Sequence, residues 1–191
     1  MKILRTRRAK NESNRLAKEC IVTALIELMK VRDYHRISIT DITRKAGVSR
    51  MAYYRNYTSK EDILNKYMED VGIAIHEKLE NIATEDDMYG YFLALFEQLG
   101  AHMDIGITAY RANLGELILH NITKNMKLSF PPDEKDAESR HRYLFLAGAF
   151  YNVFIEWLKA GCTESCEEMA HVCAILACEG CRPERGANTH E

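Results

Sequence analysis

The residue types best suited to chemistry cluster between Ser38 and Leu64, in the run SITDITRKAGVSRMAYYRNYTSKEDIL. Within it, Arg50 and Arg55 supply guanidinium groups, Tyr54 a phenol, and Met51 and Ala52 small or flexible apolar tips. Such a set binds; it does not break bonds. An arginine can bond a guanine edge or a phosphate, a tyrosine can donate to a phosphate, and a methionine or alanine can touch a thymine methyl group. The chemistry implied is recognition of a nucleic-acid duplex, provided that one rigid element presents these side chains together.

The elements that must present them are short helices. Ile37 to Asp41 could pass for a strand, yet Ser38 followed three residues later by Asp41 is a capping-box-like start to a second helix. Gly47 ends that helix, being free to adopt the left-handed conformation of helix stops and tight turns. Ser49 is placed to cap a third helix running to about Tyr57, and Ser59 with Asp62 repeats the pattern for a long fourth helix. In the third helix, Val48, Ala52, Tyr53 and Tyr57 share an inward side, while Arg50, Met51, Tyr54 and Arg55 face out. Two capped helices separated by Ala46-Gly47-Val48 have the geometry of a helix-turn-helix, whose second helix can enter a major groove about 12 Å wide. Ahead of them, Ala17, Cys20, Ile21, Ala24, Leu25 and Leu28 carry the period of an amphipathic first helix from about Asn11 to Lys30–Asp33. Residues 1–10 lack that period and read as a mobile basic arm whose Arg5, Arg7, Arg8 and Lys10 could meet phosphates or the minor groove.

The window resembles the DNA-binding domain of the TetR (tetracycline-repressor-like) transcriptional regulators. The resemblance rests on Ser38, Asp41, Ile42, Ala46, Gly47, Val48, Ser49, Tyr54, Tyr57, Ser59, Lys60 and Glu61, all in order. It implies that Thr40 and Ser49 approach phosphates or bases, that Arg50, Met51 and Ala52 face the groove, and that Tyr54 meets the backbone. Arg44 joins this set, Arg55 and Asn56 line the groove rim, and Lys60 with its helix terminus binds a phosphate. Met51, Ala52 and Asn56 depart from the usual pattern, where a small residue, a threonine and an aromatic are common. The docking mode survives these departures; the operator sequence is not readable from them.

Charge distribution supports the same reading. Residues 1–60 hold 15 Lys/Arg and 5 Asp/Glu, a net +10, and residues 61–191 hold 11 and 23, a net -12, although the whole chain carries only -2. A basic module joined to an acidic one reads as a polyanion-binding head on a body that stays off the polyanion. The 191 residues, 47% hydrophobic and 28% charged, allow one domain or a small module on a larger one, and fit neither disorder nor a fibrous repeat. Three prolines, two of them adjacent at Pro131 and Pro132, suit an all-helical chain. No leader is visible, and the longest apolar run, Tyr143 to Leu158, is interrupted by Asn152 and Glu156 and falls short of a membrane span of about 18 residues. A cytoplasmic location with no membrane partner is expected, so the six cysteines should be thiols.

After the fourth helix, residues 81–87 read as a loop, helices resume around Tyr91, Leu95 and Leu99, and residues 129–133 mark the next clear break. A long helix should run from near Asp136 to Gly161, and Ser165 with Glu168 should cap a last helix whose apolar stripe is Met169, Val172, Cys173 and Leu176. The tail after Gly180 reads as disordered. The expected fold is all-α, about nine helices, with residues 1–64 as the helix-turn-helix domain and 65–191 as a helical effector-binding and dimerisation domain. Residues 143–158 are apolar nearly all round, and such a helix must be covered on every side. The family resemblance implies that the last two long helices bundle with those of a second copy, through Ala147, Gly148, Tyr151, Asn152, Ile155, Met169, Val172 and Leu176. A helix buried within one subunit is the other reading.

The resemblance further implies a repressor that leaves a pseudo-palindromic operator when an unidentified small molecule enters the body. Tyr91, Phe92, Phe96, His102, Met103, Tyr110, His120, Phe150 and Phe154 mix aromatic walls with polar tips and are the pocket candidates, although the same mixture builds an ordinary core. Two alternatives stand. Cys162, Cys166, His171, Cys173, Cys178 and Cys181 lie within 20 residues and invite a thiol- or metal-responsive regulator, against which the spacing speaks, since it has no paired C-x-x-C knuckles. The other is a helical protein-partner module with a degenerate DNA head. No glycine-rich phosphate loop, H-E-x-x-H or G-x-S-x-G is present, so neither catalysis nor a cofactor is expected.

Overall fold

The computed structural model describes residues 2–79 and 87–179, with the side chains of residues 2–11 and 179 excepted. Among these residues there are nine α-helices, one 3-10 turn and no strand. In order they are α1 (Lys2–Met29), the turn Tyr34–Arg36, α2 (Ile39–Ala46), α3 (Arg50–Asn56), α4 (Lys60–Leu79), α5 (Met88–Gly100), α6 (Met103–Arg111), α7 (Gly115–Ser129), α8 (Ala137–Lys159) and α9 (Cys166–Glu179). No described helix is long and apolar enough to cross a membrane. The loop expected at residues 81–87 and the tail after Gly180 fall almost wholly outside the described residues, as does Cys181.

Local chemistry explains the boundaries. Ser38 Oγ accepts from the Asp41 amide at 3.2 Å while the Asp41 carboxylate accepts from the Ser38 amide at 3.0 Å, a reciprocal capping box at the start of α2. Gly47 closes α2 at φ 66°, and Ser49 Oγ accepts from the Ala52 amide at 3.1 Å to open α3. Ser59 Oγ accepts from the Asp62 amide, Asp136 from the amides of Glu138 and Ser139, and Ser165 exchanges hydrogen bonds with Glu168, so α4, α8 and α9 start where their caps put them. One boundary differs from expectation. The first helix starts at Lys2 rather than near Asn11, because Lys, Leu, Arg and Ala propagate a helix with or without an apolar face, and no glycine or proline interrupts them. The basic residues expected on a mobile arm are therefore the first turns of α1.

Two hydrophobic clusters organise the chain. The head cluster joins Ile21, Leu25 and Leu28 of α1 to Tyr34, Ile37, Ile42, Tyr53, Tyr57, Ile63 and Leu64. The body cluster runs from Ile75 and Leu79 of α4 through Phe92, Phe96, Phe150, Phe154 and Trp157 to Met169 and Cys173. Helix α4 belongs to both, its first turns in the head and its last in the body. A second link comes from Leu114 and Leu117, which pack on the head cluster from the start of α7, and from an exposed ion pair, Lys30 Nζ to Asp104 at 3.4 Å. Where α4 crosses α7, Gly72 takes the side chain of Asn125 so closely that an added Cβ would lie 2.3 Å from it.

Candidate functional site

Helix α3 is held from three directions. Tyr53 and Tyr57 are buried in the head cluster and anchor its inner side. From α1, Asn14 and Asn56 exchange side-chain hydrogen bonds at 3.0 Å each, and Asn56 Nδ2 also donates to the Ala52 carbonyl at 2.9 Å. From α4, Lys66 Nζ donates to the Asn56 carbonyl at 2.8 Å and pairs with Asp62 at 3.0 Å, a cation at a helix C-terminus where the dipole favours it. Glu61 accepts from the Tyr34 hydroxyl at 2.9 Å, which ties the start of α4 to the turn after α1.

What remains outward on α3 is a compact face. Met51 is 75% exposed and Tyr54 59%, and Arg50 and Arg55 are exposed beside them. Arg50 Nη2 donates to Thr40 Oγ1, so the guanidinium leans across the turn toward α2, where Arg44 is also exposed. Ala52 is half-buried, and Ser49 Oγ is engaged as the cap. The structure thus brings Thr40, Arg44, Ser49, Arg50, Met51, Tyr54 and Arg55 to one end of the head.

Two expected contact residues are committed elsewhere. Lys60 Nζ donates to the carbonyls of Tyr34 at 2.6 Å and Ile37 at 3.3 Å and lies 4.3 Å from the centre of the Tyr34 ring, so in the unbound chain its charge satisfies the end of the 3-10 turn. Asn56 is half-buried in its pairing with Asn14. The departure from an aromatic residue at position 56 therefore has a matching amide on α1. Residues 14 and 66, unnoticed in sequence, emerge as positioning residues. No sequence signal marks Asn14, whereas Lys66 stands four residues after Asp62, the spacing of a helical ion pair.

In the body a cavity of about 80 Å³ is lined by residues of α4 to α8. Of the nine pocket candidates, Tyr91, His102, Phe150 and Phe154 line it. Phe92 and Phe96 are instead packing partners, stacked on Phe150 at 5.9 Å and edge-on to Trp157 at 5.3 Å. Met103 and His120 are exposed, and Tyr110 packs half-buried at the margin of the core. The polar wall comes from residues not foreseen, Tyr67 on α4 and Asn121 and Asn125 on α7. Tyr67 O–H and His102 Nδ1 meet at 2.7 Å, and burial holds the Tyr67 phenol above its ordinary pKa.

The outer side of α8 and α9 carries Leu144, Phe145, Val172, Ile175 and Leu176, all exposed, with Phe145 at 70%. Among the residues expected there, Gly148 is half-buried, Asn152 exposed, and Tyr151 half-buried. Ala147, Ile155 and Met169 are buried within the single chain, since their side chains belong to the body cluster. The core stripe of α9 is correspondingly Met169, Ala170 and Cys173, and Val172 and Leu176 lie outside it. Burial pushes the Cys173 thiol up to about 11 and raises those of Cys162 and Cys166, which disfavours the thiolate that metal binding and oxidation need. Among the described residues no group of three or more His, Cys, Asp or Glu could hold a metal ion.

Comparison with known proteins fits this arrangement. Residues 21–67, which span α1 to the first turns of α4, match the family described as bacterial regulatory proteins, tetR family. No curated protein matches the chain in sequence. Among solved structures it is similar to the dihydroxyacetone kinase operon activator DhaS, with a TM-score of 0.57 and 18% identity over 85% of this chain and 94% of that one. It is similar also to the fatty acid degradation regulator FadR from Bacillus halodurans, with a TM-score of 0.59 and 20% identity over 87% and 96% of the two chains. At these identities the likeness speaks to the fold, which extends across head and body alike. The match to the tetR family of bacterial regulatory proteins thus falls on residues 21–67, which carry the two short helices and the turn at the head of a fold that is all-helical among the described residues.

Proposed function

We propose that the chain is a homodimeric repressor that leaves a pseudo-palindromic operator when a small molecule occupies the body cavity. The observation that carries this reading is the exposed face of α3, where two guanidiniums, a phenol and a methionine stand on a helix whose other sides are all tied down. Arg50, Met51 and Ala52 approach base edges; Thr40, Arg44, Ser49, Tyr54 and Arg55 approach phosphates. Asn56 and Lys60 hold the frame that aims them. The division between head and body falls within α4, beyond Leu64, and the face of Phe145, Val172 and Leu176 supports pairing with a second copy, because exposed apolar patches of this kind mark interaction surfaces. Two copies place their α3 helices about one duplex turn, ~34–36 Å, apart. An effector that favours the form with another spacing weakens binding by its coupling energy, typically ~1–3 kcal/mol.

The test is selection of preferred duplexes from a random library, followed by a salt series on the winner. Affinity should fall steeply as salt rises, because cations bound to phosphate are released with each contact. Arg50→Ala should cost about 1–3 kcal/mol of specific binding with unchanged helical content. Unchanged affinity in that variant removes the α3 face from the interface.

A further inference from the structure

The cavity has a chemistry that narrows what can fill it. Its lining includes no Asp, Glu, Lys or Arg, and most of its wall is aliphatic or aromatic. A charged group placed there would lose hydration with no counter-charge to replace it. Of the polar groups, Tyr67 and His102 engage each other, and Asn125 Nδ2 donates to the Asn121 carbonyl at 2.9 Å. Asn121 is the exception. It is 5% exposed, its Nδ2 donates to the Leu117 carbonyl at 3.0 Å and to Asn65 Oδ1 at 3.2 Å, and its Oδ1 has no hydrogen-bond partner among the described residues. Turning the amide over would not relieve this, because its oxygen would then face the fixed backbone carbonyl oxygen of Leu117. A buried acceptor without a donor is costly, and that cost is recovered by whatever brings the donor.

We propose, on the reading of the body as an effector domain, that the cavity selects a small uncharged apolar molecule bearing an O–H or N–H group, which donates to Asn121 Oδ1. The class includes phenols, aromatic N–H heterocycles and short branched alcohols. The position of the acceptor also gives the contact a route to the head. Asn121 holds Asn65 of α4 through its other end, so a donor arriving at Oδ1 acts on the same amide that joins α7 to the helix leading into the DNA-binding domain. The described cavity is about 80 Å³, below the ~150 Å³ of an apolar cavity known to admit benzene, so a ring compound enters by parting the walls.

Isothermal titration of the full-length protein with matched pairs, phenol against fluorobenzene and indole against benzofuran, tests the donor requirement. Each pair keeps the shape and removes the donor. The donor-bearing member should bind more tightly, and its advantage should shrink about tenfold in Asn121→Leu. Equal preference in the unsubstituted protein and in Asn121→Leu overturns the proposal, as does tighter binding of benzoate than of phenol, or no saturable binding of either phenol or indole. If Asn121→Leu loses its helical circular dichroism, the side-chain amide resonance of Asn121 in the unsubstituted protein decides: it shifts with phenol and not with fluorobenzene, and equal shifts overturn the proposal. Release from the selected duplex is scored separately. Donor-dependent binding without release supports the ligand class and removes only the effector role.

Discussion

Head and body each pack around an apolar cluster, but what is added to that cluster differs. The head is small, and its helices are pinned by polar pairs: Asn14 with Asn56, Lys60 on two carbonyls, Lys66 on a third, Tyr34 on Glu61. The body relies on rings, with Phe92, Phe96, Phe150, Phe154 and Trp157 in one continuous aromatic cluster. Polar pairs impose direction as well as distance, which suits a surface whose side chains must reach given atoms of a ligand. Ring packing is less directional and leaves room, here a cavity inside and an apolar face outside.

That contrast can be broken at several places. For the proposed homodimer the largest effect should follow charging of the outer face: Val172→Asp with Leu176→Asp should halve the mass measured by light scattering and weaken binding to the selected duplex by about 100-fold or more, since each head loses its tethered partner. Both side chains are exposed in the single chain, so helical content should be retained; an unchanged dimer would place the interface elsewhere. Next in size is the head's dependence on local polar chemistry. Ser38→Ala should cost about 1 kcal/mol in urea unfolding through loss of the cap on α2. The hydrogen bonds from Ser38 hold the Asp41 carboxyl below its ordinary value, so its contribution is present above the usual carboxylate range and disappears as pH falls through the lowered value. The Ser38→Ala penalty should therefore shrink in acid. The smallest effect sharpens the comparison from the other side. Tyr53 is fully buried and its hydroxyl has no hydrogen-bond partner among the described residues, so Tyr53→Phe should leave stability unchanged or raise it by up to ~1 kcal/mol. A loss instead would identify a polar role for that hydroxyl within the head.

Features set within one turn of helix were legible in the residues. Ser38 with Asp41, Gly47, Ser49, Ser59 with Asp62 and Ser165 with Glu168 announce their boundaries because cap and partner are three residues apart. The outward set Arg50, Met51, Tyr54 and Arg55 was legible for the same reason, helical spacing. Contacts closed by tertiary folding were not. Asn14 and Asn56 lie 42 residues apart, and Lys60 meets carbonyls 23 and 26 residues away. Nothing in either residue type announces the other. Aromatic content located four cavity residues but also drew in Phe92 and Phe96, because a ring lining a space and a ring filling one have the same period. The asparagines of α7 escaped notice because amides on a helix read as solvent-facing until a neighbouring helix covers them.

The crossing of α4 and α7 at Gly72 carries a last consequence. Two helices can touch there only because one of them contributes nothing beyond its backbone, and Asn125 fills the notch so tightly that even a methyl group would displace it. Since Asn125 in turn donates to the backbone carbonyl of Asn121, a single carbon added at position 72 reaches a hydrogen bond one helical turn away. A methyl group added there would push the Asn125 side chain out of the notch and off the Asn121 carbonyl that it holds.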